Sequence, residues 1–133
     1  KKLPAQENIS AVFLVAFKDG KILAAQNERG WDVPGGHLEG SEDCLTALKR
    51  EVLEEAGAEV SDTVPYAVLT SSTSLKVMVF FASNAINLVE FVPSKDALSR
   101  DFLDQEEFLH RYYGDKELLQ SLIEGAKKIL GLQ

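Results

Sequence analysis

Residues 35–57 read GGHLEGSEDCLTALKREVLEEAG, and this run constrains the fold more than any other part of the chain. Ser41 is a good N-cap, because its hydroxyl can accept an orphan amide, and Glu42 and Asp43 behind it suit the positive end of a helix dipole. Gly57 suits the left-handed stop at the other end. The spacing therefore predicts a helix over 42–56. At about 100° per residue, Leu45, Leu48, Val52 and Ala56 gather into a core-facing stripe. Glu51, Glu54 and Glu55 gather in a neighbouring sector, with the small Cys44 and Ala47 beneath them. The acidic sector flanks the core instead of opposing it, so such a helix packs with its carboxylates along an edge.

The surroundings predict a mixture of strands and helices. Residues 9–17 form an apolar β-rich run that ends at Lys18-Asp19-Gly20, and 21–25 follows as the second arm of a hairpin. Residues 27–30 form a polar loop, and Trp31-Asp32-Val33 is extended, since Pro34 disfavours helix in the residue before it. Gly35-Gly36 then gives a sharp, close-packing turn. Strands are expected over 64–70, 75–82 and 87–92, and helices over 104–110 and 115–130, the last with Asp115 as N-cap and Gly131 as stop. These elements form one layered α/β domain over residues 1–133.

The 133 residues are 45% hydrophobic, enough for one core. The longest apolar stretch, AVFLVAF at 11–17, is far too short to cross a bilayer. Lys1-Lys2 is not followed by the apolar run of a secretory leader. A single cysteine cannot form an internal disulfide, so a reducing, cytoplasmic setting is expected. A net charge of −7 opposes an extended nucleic-acid footprint, which needs Lys and Arg along a phosphate backbone. A small phosphorylated ligand stays compatible if a cation shields it.

The acidic sector has two readings. A run of charge is ordinarily a solvated face. Here, though, like charges three or four apart cost about 0.2–0.5 kcal/mol per pair, and only Lys49 and Arg50 offer relief within the helix. Three carboxylates beside a core suit a hard divalent cation such as Mg²⁺, which takes oxygen ligands and leaves room for water and phosphate.

These residues match a family pattern. One Gly, five residues, Glu, seven residues, then Arg-Glu-apolar-x-Glu-Glu-x-Gly-apolar is filled by Gly36, Glu42, Arg50-Glu51-Val52, Glu54-Glu55 and Gly57-Ala58. Together with Trp31 ahead of Pro34-Gly35-Gly36, this resembles the Nudix hydrolases, MutT-like members included. The resemblance implies an α/β/α sandwich with a mixed sheet, and hydrolysis of nucleoside diphosphate derivatives by water attack on a bridging pyrophosphate with Mg²⁺ or Mn²⁺. It implies that Glu51, Glu54, Glu55 and the Gly36 carbonyl hold metal, while Arg50 and Glu42 form an ion pair that orients the glutamates. Such relatives often carry a further loop Glu six residues before a Trp-Phe-like pair. Phe102-Leu103 resembles that pair, which makes Asp96 the candidate metal ligand or general base, with Glu90, Glu106 and Glu107 as rivals, Glu55 itself as base in some relatives, and a plain turn-capping role for Asp96 as the simpler reading. His37, Arg29 and Lys18 are placed to meet phosphate. Trp31, His110 and Cys44 are better read as packing residues.

The leading expectation is a pyrophosphohydrolase of nucleoside triphosphates, oxidised deoxynucleotides among them. RNA 5′-pyrophosphohydrolase and ADP-ribose or nucleotide-sugar pyrophosphatase are the alternatives. The Pro or Tyr that often marks ADP-ribose or dinucleoside polyphosphate specificity is replaced by Thr73. A binding module without catalysis is the reading from another class, and the complete set of glutamates weighs against it. Exposed strand edges make a homodimer conceivable.

Overall fold

The computed structural model describes residues 4–5, 8–70 and 77–132. Strands β1 (Ile9–Lys18), β2 (Lys21–Asn27) and β3 (Gly30–Asp32) are followed by β4 (Gly35–His37), helix α1 (Cys44–Ala56), β5 (Ala58–Ser61) and β6 (Val64–Thr70). Then come β7 (Val77–Ser83), β8 (Ala85–Leu88), β9 (Ser99–Leu103), α2 (Gln105–Arg111) and α3 (Lys116–Leu130). The main sheet runs β3-β2-β1-β7-β6, with β4 paired to β1 and β9 paired to β2, while β5 and β8 form a separate ribbon. β1 lies parallel to β7 and antiparallel to its other neighbours, so the sheet is mixed.

Alternation along β1 builds both faces at once. Val12, Leu14 and Ala16 join Cys44, Ala47, Leu48 and Val52 of α1 on one side. Val15 and Phe17 join Phe108 of α2 and Leu119 and Ile123 of α3 on the other. The result is the expected α/β/α sandwich. Among the described residues, no helix is long and apolar enough to cross a membrane.

The hairpin bend is as expected, with Asp19 and Gly20 both at positive φ. Asp115 and Gly131 cap α3 as expected, and Asp104 caps α2. Several expectations need correction. Helix α1 starts at Cys44 under Asp43, whose carboxylate accepts the Thr46 amide, and Ser41 is not its cap. The reason is Glu42: within one helix it would lie about 12 Å along the axis from Arg50. Placed in the preceding loop, it folds back onto that guanidinium. Leu45 is 46% exposed and does not belong to the core stripe; the buried face is Cys44, Ala47, Leu48, Val52 and Ala56. The small Cys44 and Ala47 bring the start of α1 close to the sheet, so the buried sector runs beneath the glutamates.

Gly35 and Gly36 form a strand against β1, with Phe13 opposite Gly35 and Val12 opposite Gly36, and not a turn. The close packing holds nonetheless: a Cβ at Gly35, where φ is +154°, would overlap the Val12 carbonyl oxygen and the Phe13 backbone. The strand expected over 87–92 is Ala85–Leu88, and β5 and β9 had no expectation. Each is short and is stabilised by a partner distant in sequence, β8 for β5 and β2 for β9. Thr73 and its neighbours at 71–74, like the start of the strand expected at 75, lie outside the described residues.

Candidate active site

One cleft of about 1170 Å³ is bounded by β4, the second half of α1, the loop after β2 and the segment 90–97. Two local features set its acidic wall. Gly36 lies directly against Glu51, where a Cβ would overlap the carboxylate. Glu55 reaches the neighbouring residue and accepts the Gly35 amide at 3.1 Å. The glycine strand and the acidic helix therefore touch, and a side chain at position 36 would push the Glu51 carboxylate out of its place.

Arg50 organises the rest. Its Nε donates to Glu42 Oε2 at 2.7 Å and its Nη2 to Glu42 Oε1 at 2.9 Å, a two-pronged pair of the strong, geometrically specific kind. Nη2 also donates to the His37 carbonyl at 3.1 Å, and Nη1 to Glu54 Oε1 at 3.2 Å. Glu39 and Glu51 lie 3.5 and 3.7 Å from Nη1. One guanidinium thus ties the β4 backbone to α1. The Arg50 contact holds the Glu42 carboxyl below the usual range, and Glu42 in turn raises Arg50.

The inner carboxylates behave differently. Glu51 has a side chain only 14% exposed, and burial, with the nearby Glu54 charge added, pushes it from the ordinary 4.5 up to about 7 despite Arg50. Burial likewise lifts Glu55 to about 7, although the Gly35 amide opposes it. Their folded values lie above their unfolded ones, so their contribution to stability is complete below about 4.5 and is lost as pH rises through about 7. Metal-free protein should therefore lose stability between pH 5 and 8, and added Mg²⁺ should stabilise it more at pH 8 than at pH 6. Thermal unfolding with Mg²⁺ or EDTA at several pH values measures this; an Mg²⁺ shift that does not grow with pH contradicts it.

Among the described residues, no three His, Cys, Asp or Glu side chains stand close enough together to form a ready-made ion cage. Glu54 is 59% exposed and is drawn to Arg50, as expected for carboxylates that repel one another. The donor set still fits a hard divalent cation. All the donors are oxygens, and two of the acids are half-buried, their values raised by burial and, to a smaller extent, by neighbouring like charge, both of which a bound cation offsets.

The remaining candidates divide cleanly. His37, Arg29, Asp96 and Glu90 all line the cleft. Asp96 is exposed in a tight turn closed by Ser94 and Ala97, whose amides and carbonyls bond to each other at 2.8 and 3.2 Å. Glu106 and Glu107 lie on α2 outside the cleft lining, and Glu107 pairs with Arg111. Lys18 ends β1 and is not among the lining residues. Trp31 packs against the second core beneath Arg111, His110 is exposed on α2 and Cys44 is buried.

Sequence reasoning missed Glu39, Asp32, Tyr113 and Arg100. The Tyr113 hydroxyl donates to Asp32 Oδ2 at 3.0 Å across 81 positions, and Arg29 lies over its ring at 5.4 Å. Burial raises Asp32 despite this bond and that of the Val33 amide. No local pattern announces a contact made across such a separation, although Asp32 stands inside the Trp31-to-Gly36 stretch.

Comparison with known proteins bears on the family and the fold. The family model described as the NUDIX domain matches residues 7–125. No curated protein sequence matches the chain significantly. Among solved structures, the Bacillus subtilis pyrophosphohydrolase BsRppH is similar with a TM-score of 0.78 at 19% identity, over 100% of this chain and 90% of that one. The MutT protein from Bacillus halodurans gives 0.67 at 20% identity, over 84% and 80%. The NUDIX domain of Shewanella oneidensis NrtR, crystallised with ADP ribose, gives 0.72 at 17% identity, over 96% and 90%. At such identities these three likenesses concern the fold, which hosts different tasks. The family match covers most of the chain, and Gly36, Arg50, Glu51, Glu54 and Glu55 of the pattern line one cleft: the protein belongs to the Nudix hydrolase family.

Proposed function

We propose that the protein is a divalent-metal-dependent pyrophosphohydrolase of nucleoside triphosphates or closely related nucleoside diphosphate derivatives. The observation that carries this reading is the contact of the Gly36 strand with Glu51 and Glu55 at the wall of a large open cleft, with Arg50 holding the surrounding acids. Glu51, Glu54, Glu55 and the Gly36 carbonyl would hold Mg²⁺ or Mn²⁺. A metal held there would offset pyrophosphate charge and lower the pKa of a water, so that the water gives up its proton more readily and attacks as hydroxide.

The chain's own groups do the rest. Arg50 keeps Glu42 and Glu54 in place, lies close to Glu39 and Glu51, and bonds the His37 carbonyl of β4. His37 and Arg29, both on the cleft wall, meet the substrate's phosphates. Asp96 accepts the proton of the attacking water from the opposite segment, with Glu90 on the same wall as its rival. Lys95 also lines the cleft, a further cation within reach of an anionic ligand.

The test is a nucleotide panel assayed for phosphate and pyrophosphate with Mg²⁺, with Mn²⁺ and with EDTA. Release that depends on the metal is expected. Release undiminished by EDTA, or none from any nucleotide, overturns the reading. Within the panel, nucleoside triphosphates are expected to exceed ADP-ribose, in keeping with Thr73 at the place where the specificity marker would stand.

A further inference from the structure

The glutamates Glu54 and Glu55 occupy the last turn of α1, where four carbonyls lack helical partners and the helix dipole is negative. That turn holds no basic side chain of its own. Its cation comes from β9: Arg100 Nη1 donates to the Ala56 carbonyl at 3.0 Å and also to the Gly57 carbonyl. The same guanidinium lies 5.7 Å from the centre of the Phe91 ring. Phe91 in turn is packed onto Gly57, where a Cβ would come within 2.9 Å of both the Phe91 Cα and the Arg100 Nη1. The Val89 amide donates to the Gly57 carbonyl at 2.8 Å, closing the junction.

Three parts of the molecule meet on this one side chain. The first is the end of the acidic helix. The second is the segment 90–97, whose Glu90 and Asp96 face the cleft from the far side. The third is the sheet, since Arg100 pairs with Ala25 of β2 and the Leu98 amide bonds the Gln26 carbonyl at 2.8 Å. Losing the guanidinium removes its bonds to the Ala56 and Gly57 carbonyls and its contact with the Phe91 ring together, leaving the Val89 amide on the Gly57 carbonyl as the remaining tie at this junction. Arg50 braces the helix from its other flank, but none of its contacts reaches the segment 90–97.

We infer that Arg100 is a positioning residue for the metal site: it fixes the end of α1 that carries Glu54 and Glu55, and ties that end to the Glu90–Asp96 segment, without touching substrate itself. The inference rests on the proposed function, and it concerns how tightly the acidic groups hold their metal.

The test measures Mn²⁺ binding to Arg100→Ala, Arg100→Lys and the unaltered protein by electron paramagnetic resonance without nucleotide, well below each unfolding midpoint. Loss of a group that orients metal ligands typically weakens metal binding about 10–100-fold, so Arg100→Ala should bind at least roughly tenfold more weakly. Lysine keeps a charge near the carbonyls but not the planar fork, so Arg100→Lys should lie between, within about threefold of the unaltered protein. Tyr66→Phe removes a hydroxyl bond of 2.7 Å to the Leu122 carbonyl on the other face. It should lower stability and leave Mn²⁺ binding unchanged, which separates positioning from general destabilisation. If Arg100→Ala fails to fold, the lysine variant decides: Mn²⁺ binding weakened against Tyr66→Phe supports the inference, and binding equal to it overturns it. Equal Mn²⁺ affinity in Arg100→Ala and the unaltered protein also overturns it and leaves the proposed function standing. Absence of Mn²⁺ binding by the unaltered protein overturns both.

Discussion

Glu54→Gln should remove most metal-dependent turnover while leaving the protein folded. The side chain is 59% exposed and its ion pair among the described residues is an (i, i+4) contact with Arg50, a kind worth about 0.3–0.5 kcal/mol. Stability should therefore barely change. Function should change greatly, because glutamine keeps the shape and loses the charge that a hard cation needs. Disturbing a group that merely orients a ligand already costs about 10–100-fold, so removing a ligand's charge should cost at least about 100-fold. Steady-state phosphate release under saturating Mg²⁺, read beside urea unfolding, gives both halves. Full turnover in this variant would sink the metal assignment even in an active enzyme.

Gly35→Ala should be the most damaging single-methyl change to the fold. The residue has φ of +154°, and its Cβ would overlap the Val12 carbonyl oxygen and lie 2.7 Å from the Phe13 Cα. These neighbours are backbone and cannot swing aside. Backbone strain of about 1–3 kcal/mol and overpacking of a similar size together give a loss of about 3 kcal/mol. The damage also reaches the site, since the Gly35 amide donates to Glu55. Urea unfolding should show a lower midpoint at an unchanged slope, which marks a change in stability alone. An unshifted midpoint would mean that β4 does not lie on β1 in this way.

Much of the fold was legible because its signals are local. The β1–β2 hairpin follows from an apolar run, Asp19-Gly20 and a second apolar run, and α3 follows from Asp115, a leucine-rich stripe and Gly131. The start of α1 was misread for a reason that no propensity scale contains. Ser41 and Asp43 are both good caps, and the choice fell to the pull of Arg50 on Glu42. Leu45 was misplaced because a wheel shows which residues share a side, not which side meets the sheet. The small Cys44 and Ala47 settled that by allowing the closest approach. The short strands β5, β8 and β9 escaped or slipped because strands of four or five residues depend on partners far away in the chain.

The amino-acid order alone determined the family pattern: a glycine, an acid and an Arg-Glu-x-x-Glu-Glu helix at spacings that bring like charge onto one sector. Helical geometry makes that inescapable wherever the helix lies. Tertiary structure alone decided which other groups share the cleft. Asp96 and Glu90 line it and Glu106 and Glu107 do not, while Tyr113 arrives beside Asp32 and Arg100 closes the end of α1. Those encounters depend on how separate strands register against one another, and registry is a property of the packed sheet that no stretch of neighbouring residues encodes.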